Sequence, residues 1–355
     1  MLFRSTETPN HQNPNERTNS CLEFGAWNFS GTWSLDVGVF PQFREKEPMK
    51  IIHAANELGH GSRKVCFAIG VFDGVHLGHQ QIIRQTIADA RLHDTVALVI
   101  TFDSHPNSVV APDRVPPLIY SPSQKMRAIE SLGTDALLEI HFDRPFSEKS
   151  GETFISELAR DLGKIHSVCV GADFVFGCKR SGNVDLLKKL GSELGFHVHG
   201  LAAVSLDGQV VSSTRIRETI RAGDFDAASQ MLGRPYTICG QVIAGDRVGR
   251  KFGFPTANLD VHHLTLPPNG VYAAATKVQG QFYRVALNIG LRPTLASSQP
   301  QLRVEAHLLD FIGDLYGTEL ELELGDKLRD ERKFASLDEL RCQIAADVAK
   351  VRSLL

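Results

Sequence analysis

Gly70-Val71-Phe72-Asp73-Gly74-Val75-His76-Leu77-Gly78-His79 sets two imidazoles three residues apart, just after an apolar run. At that spacing both rings share one face of a helix's first turn. A helix start offers free N–H donors, and glycines let backbone approach an anion closely. The chemistry this suits is binding of a phosphate chain, the imidazoles donating hydrogen bonds while a phosphorus is attacked. Alone, the pair also reads as two surface histidines. The preceding strand, with Gly70 and Gly74, favours the phosphate site. Ser212-Ser213-Thr214-Arg215-Ile216-Arg217 puts hydroxyls and two guanidinium groups at another helix start. By itself that is a capped helix with solvated arginines. Beside the histidine motif it reads as a phosphate clamp closing over a nucleotide.

Two more stretches end strands of the same region. They are Thr101-Phe102-Asp103-Ser104-His105-Pro106 and Gly171-Ala172-Asp173-Phe174-Val175-Phe176-Gly177, the latter followed by Lys179-Arg180-Ser181-Gly182. Phe174 and Phe176 also suit plain core.

A different pattern occupies Gly245-Asp246-Arg247-Val248-Gly249-Arg250-Lys251-Phe252-Gly253-Phe254-Pro255-Thr256-Ala257-Asn258. Glycines at 245, 249 and 253 let a loop wrap phosphates, and Arg247, Arg250 and Lys251 add charge. It is not GxxxxGK[ST], and it also reads as a basic surface loop. Thr256 and Asn258 alternate onto one face of a short strand, both offering oxygen to a metal. In Leu302-Arg303-Val304-Glu305-Ala306-His307-Leu308 the apolar residues alternate with Arg303, Glu305 and His307, so Glu305 points away from the apolar face.

Elements must position these groups. Residues 65–72 and 95–102 read as strands buried on both faces, and 76–92 as a helix with Ile82, Ile83, Ile87 and Ala90 on one side. A Pro-rich loop covers 105–122. Helices at 122–132, 151–162 and 183–195 then alternate with strands at 135–141, 166–170 and 197–204. This predicts an α/β doubly wound parallel sheet, Rossmann-like, with ligands at the strands' carboxyl ends. The segment 212–236 reads as helical and polar, joining two halves. Beyond it come strands without helices between them, a hairpin turn at Val278-Gln279-Gly280-Gln281, and a last helix at 337–354 with Leu340, Ile344, Val348 and Val351 near helical spacing. That predicts an antiparallel β-barrel. Asp310, Asp314 and Glu321 read as loop or surface charges. The expected division is an extension at 1–48, a first domain at 49–222, and a second at 223–355 with a linker helix near 223–235. The first 48 residues hold both tryptophans, Trp27 and Trp33, with no sustained period; they read as a loose tail or as sequence ahead of a true start at Met49.

Composition narrows the classes. With 355 residues the chain is long enough for two domains. Lys+Arg total 38 against 41 Asp+Glu, a net charge of −3 that excludes a generally basic nucleic-acid binder. No apolar run approaches the roughly 20 residues of a membrane span. Six cysteines show neither CxxC pairs nor zinc spacing, as expected of reduced thiols in a cytoplasmic protein.

GVFDGVHLGHQ, GADFVFG, RSG, SSTRIR, PTAN and VEAHLLDF resemble the prokaryotic bifunctional riboflavin kinase/FAD synthetase family, across essentially all of 49–355. The resemblance implies a nucleotidyltransferase-type FMN adenylyltransferase followed by a riboflavin kinase barrel. It implies that His76 and His79 stabilise ATP phosphates, with Gly70, Phe72, Gly74, Gly78, Ser212, Ser213, Thr214, Arg215 and Arg217 also on the ATP. His105, Asp173 and Phe174 would meet FMN. In the kinase it implies ATP contacts from Gly245, Arg250, Gly253, Pro255 and Asn258, flavin contact from Asn288, and Mg²⁺ held with ATP by Thr256 and Asn258. Glu305, on base rate an exposed strand carboxylate, becomes the kinase's catalytic base. Ser104 stands where the family often has Pro, and Val175 where it often has Arg. Riboflavin, FMN and ATP are the expected small-molecule partners, with room for weak self-association. Competing readings are one retained activity, a flavin-responsive binding protein, or a related HxGH nucleotidyltransferase; the last does not explain the PTAN barrel.

Overall fold

A computed structural model describes residues 48–59, 63–245, 249, 253–261, 263–292 and 301–354. The expectations for 1–47, Arg247, Arg250 and Lys251 lie outside the described residues. Glu47–Leu355 forms one compact unit.

Its first part contains β1 (Lys50–Ile52), β2 (Val65–Ile69), α1 (Leu77–Leu92), β3 (Val96–Phe102), α2 (Asn107–Val110), α3 (Pro122–Leu132), β4 (Ala136–Ile140), α4 (Arg144–Ser147), α5 (Gly151–Leu162), β5 (Ile165–Gly171), β6 (Val175–Phe176), β7 (Gly182–Asn183), α6 (Val184–Leu194), β8 (His197–Leu201), β9 (Ser205–Leu206) and β10 (Gln209–Val210). Six strands form one sheet in the order β1-β4-β3-β2-β5-β8. Every pairing in it is parallel. All five side chains of β2 are buried, as expected of a strand covered by helices on both faces. The chain winds from β2 toward β3 and β4 on one side and toward β5 and β8 on the other. The carboxyl end of β2 is therefore the topological switch point.

Helix boundaries follow local chemistry. Ser121 and Gln124 form a capping box ahead of α3, with Pro122 in the first turn and Gly133 closing the other end. Ser150 and Asn183 cap α5 and α6 by accepting the N–H groups of Thr153 and Leu186. The expected strand 65–72 stops at Ile69. Phe72 and Val75 take left-handed φ values of 52° and 39°, which no strand accommodates.

The expected polar connector at 212–236 is instead two amphipathic helices, α7 (Ser213–Ala222) and α8 (Phe225–Leu232). Gly223 ends α7 in the left-handed region and Asp224 caps α8. Ile216, Ile220, Met231 and Leu232 share one core with the barrel's Leu287 and Val304. The segment is thus part of the core, because its apolar residues fall on one stripe of each helix.

The barrel comprises β11 (Thr237–Ile243), β12 (Ala257–Asp260), β13 (Gly270–Val278), β14 (Gln281–Arg292), β15 (Gln301–Leu308) and β16 (Glu319–Arg329), followed by α9 (Leu337–Leu354). It closes in the order β11-β12-β15-β14-β13-β16. Val285, Leu287, Ile289, Val304, Ala306, Leu320 and Leu322 point inward at alternate positions. Among the described residues each of the six strands pairs with two neighbours, so none is an edge strand. On α9, Val348 and Val351 pack with Ala273 and Leu309 on the barrel's outside. The buried Asp347 pairs with Arg329 at 2.8 Å.

Polar contacts join the sheet to the barrel. Arg127 of α3 pairs with Glu319 and, at 3.0 Å, with Glu321. Gln124 donates to Thr237 Oγ1 at 2.9 Å. Glu321 is exposed, as its sequence context suggested, and pairs with α3 through Arg127. The segment before α3 also forms a bridge, Leu118 N–H donating to His263 O and Thr265 N–H donating to Leu118 O.

Gln279 (φ 49°) and Gly280 (φ 86°) close the β13–β14 hairpin in the left-handed conformations a two-residue turn requires. Gly280→Val should destabilise the barrel by about 1–3 kcal/mol in urea unfolding, since a β-branched side chain resists that φ.

Candidate active sites

His76 occupies the cap position of α1, and its Nδ1 accepts the His79 N–H at 3.4 Å. That contact leaves the ring's proton on Nε2, which becomes its outward donor. The two imidazoles stack with centroids 3.6 Å apart. The HxGH glycine has a packing reason: a Cβ on Gly78 would sit 3.2 Å from His76 Cε1. Nδ1 of His79 is buried without a hydrogen-bond partner. Such an atom costs about 1–3 kcal/mol when left unpaired, and a bound acceptor or donor would satisfy it.

Both rings are neutral at ordinary pH. Burial first, then the charges of Arg234 and Arg217, lower the His76 pKa to about 4. Burial and the neighbouring His76 hold His79 well below the usual imidazole range. Phe72, expected on the nucleotide, is 1% exposed and meets His79 edge-on at 5.2 Å, so it supports the ring from the core.

Asp73, given no role by its spacing, organises the turn. Its carboxylate accepts the Ile119 N–H at 2.9 Å and the Tyr120 N–H at 3.3 Å. Nη2 of Arg217 donates to it at 2.5 Å, with both residues under 10% exposed. Nε of Arg217 donates to Pro117 O at 2.7 Å. Arg217 is therefore enclosed as a structural ion pair, and its charge reaches His76 and His105 through space. Arg215 donates to Leu206 O and Gln209 O, both at 3.2 Å, anchoring the β9–β10 hairpin. Ser212 caps α7, Ser213 Oγ donates to Asp73 O at 3.0 Å, and Thr214 is exposed. Gly74 is buried, and a Cβ there would lie 3.0 Å from Ile119. A Cβ on Gly70 would meet the Phe72 ring at 3.1 Å.

The strands flanking β2 bring the remaining candidates to the same end of the sheet. His105 follows β3, half-buried, its Nδ1 accepting the Asn107 N–H at 3.1 Å. Burial and Arg217 lower its pKa. Asp173 follows β5 and is exposed. Phe174 stacks on Phe176 at 5.3 Å and packs partly on the core. Val175 is exposed and Ser104 half-buried. Sequence spacing missed Lys125, whose Nζ donates to Phe102 O at 2.8 Å and whose pKa burial lowers.

In the barrel, Glu305 of β15 stands in register with Asn258 of β12 on one side and Asn288 of β14 on the other. Residues paired across antiparallel strands share a face, so these three side chains form a row on the barrel's outer surface. Arg303, two residues along, approaches Glu305 at 4.0 Å. Gly245 packs so tightly on Asn258 that a Cβ would overlap the amide. Gly245, Asn258 and Arg303 line a cavity of about 240 Å³. Pro255 and Thr256 line another of about 500 Å³, whose rim carries Phe311, Ile312 and Tyr316. That volume is in the range of ~300–1,000 Å³ common for small-molecule sites. His307 Nδ1 lies 2.7 Å from Pro255 O, bracing the loop. Gly253 is exposed with φ 85°, and Arg250 lies outside the described residues.

Among the described residues, no group of three or more His, Cys, Asp or Glu could hold a metal ion. The Thr256 hydroxyl and the Asn258 amide oxygen are nevertheless hard oxygen donors two residues apart on β12 and the loop before it. This fits a hard divalent cation that takes its other ligands from phosphates and water.

Asp73→Ala should lower unfolding free energy by about 3–5 kcal/mol, since it strands the Arg217 charge in the interior; urea titration reads this directly. For His76, the unfolded chain binds a proton near 6.5 and the folded one near 4. Stability from this group is complete above pH 6.5 and is lost as pH falls toward 4. His76→Asn, which keeps a capping side chain, should flatten that decline in denaturation curves taken across the interval.

Residues 60–215 match the family model for FAD synthetase, and residues 232–355 that for riboflavin kinase. The bifunctional riboflavin kinase/FMN adenylyltransferase of Escherichia coli strain K12 is 36% identical over 306 residues, covering 86% of this chain and 97% of that protein. The protein of the same name from Pseudomonas fluorescens is 37% identical, with 86% and 98% covered. The crystal structure of a macrolide-efflux protein from Streptococcus pneumoniae superposes with a TM-score of 0.73 at 28% identity, covering 87% of this chain and all of that one. Among the described residues no helix is long and apolar enough to cross a membrane. Two matching halves and relatives aligned along nearly their whole length agree: the chain belongs to the bifunctional riboflavin kinase/FMN adenylyltransferase family.

Proposed function

We propose that this chain phosphorylates riboflavin with ATP to give FMN and ADP, then joins FMN to a second ATP to give FAD and pyrophosphate. One observation carries the reading. Two unlike phosphate-chemistry sites are assembled in one chain, a neutral imidazole pair at the sheet's switch point and the Asn258–Glu305–Asn288 row on the barrel.

The two sites differ as their nucleophiles do. In adenylyl transfer the FMN phosphate is already anionic and attacks the α-phosphorus, so no base is needed. The Nε2–H of His76, the His79 ring and the start of α1 donate to the phosphate oxygens as charge shifts onto departing pyrophosphate. Gly70, Gly78, Ser212, Thr214 and Arg215 surround the same ATP, and His105, Asp173 and Phe174 face the flavin phosphate. In the kinase the nucleophile is a neutral primary hydroxyl. Glu305 takes its proton as the oxygen attacks the γ-phosphorus and ADP leaves. Gly245, Arg250, Gly253, Pro255 and Asn258 hold that ATP, and Asn288 faces the flavin.

ATP-dependent families of this kind use a divalent metal, here read as Mg²⁺, which neutralises phosphate charge when bound with ATP. Thr256 and Asn258 would hold it. The division at 49–222 and 223–355 belongs to the same proposal, supported by the break at Gly223. Free thiols at Cys66, Cys169, Cys178, Cys239 and Cys342 support a reducing, cytoplasmic setting.

Incubation with riboflavin and Mg·ATP, followed by chromatography, should yield both FMN and FAD. FMN alone would remove the adenylyltransferase, and FAD from added FMN but none from riboflavin would remove the kinase. Glu305→Ala should lower FMN formation by about 10²-fold or more while FAD formation from supplied FMN survives. His79→Ala should do the reverse; equal loss of both activities contradicts two separate sites.

A further inference from the structure

Arg234 follows α8 and leads into the barrel, yet its hydrogen bonds run into the histidine turn. Nη2 donates to Gly74 O at 2.7 Å, and Nη1 donates to Val75 O at 3.2 Å and Leu232 O at 3.1 Å. Nε donates to the Tyr120 hydroxyl at 2.9 Å, and the guanidinium lies 4.9 Å from the centre of the Tyr120 ring. Gln80 of α1 donates to the same Val75 and Leu232 carbonyls at 2.9 and 2.7 Å.

The carbonyls being held belong to the left-handed residues of the turn, Gly74 at 76° and Val75 at 39°. Positive φ on a β-branched residue is strained and persists only where its surroundings over-determine it. The next residue is His76. We infer that Arg234 is a positioning residue for adenylyl transfer: a side chain from the barrel half of the chain pins the strained turn that aims His76. It touches neither substrate nor reacting atoms; it acts through the Gly74 and Val75 carbonyls. Its charge also opposes protonation of His76, beside that of Arg217. The other titratable neighbours of the turn are His79, His105 and Asp73. The inference rests on the adenylyltransferase reading of this site.

The test uses the full chain with Arg234→Gln and Arg234→Lys. Displacing a phosphate-aligning group by about 1 Å costs on the order of 10²-fold in rate. Arg234→Gln should therefore cut kcat for FAD formation from FMN by about 10- to 100-fold, with riboflavin phosphorylation within about twofold of wild type. NMR titration of the His76 ring should show its pKa raised from about 4. Arg234→Lys keeps the charge but not the planar fork, so the pKa stays low while the FAD rate remains depressed. Val75→Gly in the Arg234→Gln background should recover part of that rate, because glycine adopts the turn unaided. Unchanged FAD formation in Arg234→Gln, or parallel loss of both activities, overturns the inference. Should that variant fail to fold, Arg234→Lys, which cannot span both carbonyls, decides alone, and a wild-type rate of FAD formation from FMN overturns the inference. A wild-type chain that makes no FAD from FMN would sink the adenylyltransferase reading itself.

Discussion

One buried ion pair holds the first site together. Asp73 sits in the turn after the central strand, and its carboxylate gathers Arg217 from α7 with the N–H groups of Ile119 and Tyr120. Three segments distant in sequence meet on one carboxylate. A paired charge in the interior is no reliable source of stability, because desolvation offsets much of the attraction. What it supplies is geometry. With each oxygen committed, the turn that carries His76 has one place to sit. The left-handed Phe72, Gly74 and Val75 become tolerable because carbonyls and carboxylate alike are anchored.

The barrel solves its positioning problem by other means. Strand register brings Asn258, Glu305 and Asn288 side by side, and register is enforced by the inward apolar alternation of β14 and β15. A slip of one residue would turn Glu305 into the core and Val304 or Ala306 outward. The hydrophobic interior therefore keeps the carboxylate on the surface. No buried charge is needed, and a site at the barrel's outside remains open to large substrates.

The halves are interlocked rather than strung together. The segment from Pro117 to Tyr120 receives Arg217 and Asp73 on one side. On the other it bridges to His263–Thr265 beside the smaller barrel cavity. Arg127 and Gln124 of α3 reach Glu319, Glu321 and Thr237. Ile216 and Ile220 of α7 share a core with barrel residues. Each candidate site thus rests partly on contacts supplied by the other half.

Much of this was legible in the chain itself. Continuous apolar runs at 65–72 and 95–102 with helices between them gave the parallel sheet, since hydrophobic period acts over a few residues. Alternation around Glu305 and the Gln279-Gly280 turn gave the barrel strands and the outward carboxylate for the same reason. The histidine pair announced its place through the glycines around it. What sequence could not disclose was who faces whom across long separations. Arg217 reads as a phosphate ligand and is folded into an ion pair with Asp73, 144 residues away. Glu321 reads as a surface charge and, while exposed, is matched to Arg127 of the other half. Arg234 reads as part of a connector and grips the histidine turn. Local rules determine elements and the chemistry each can display. Only the packed structure, by removing water from some charges and sparing others, decided which groups hold the turn and which are left to meet a ligand.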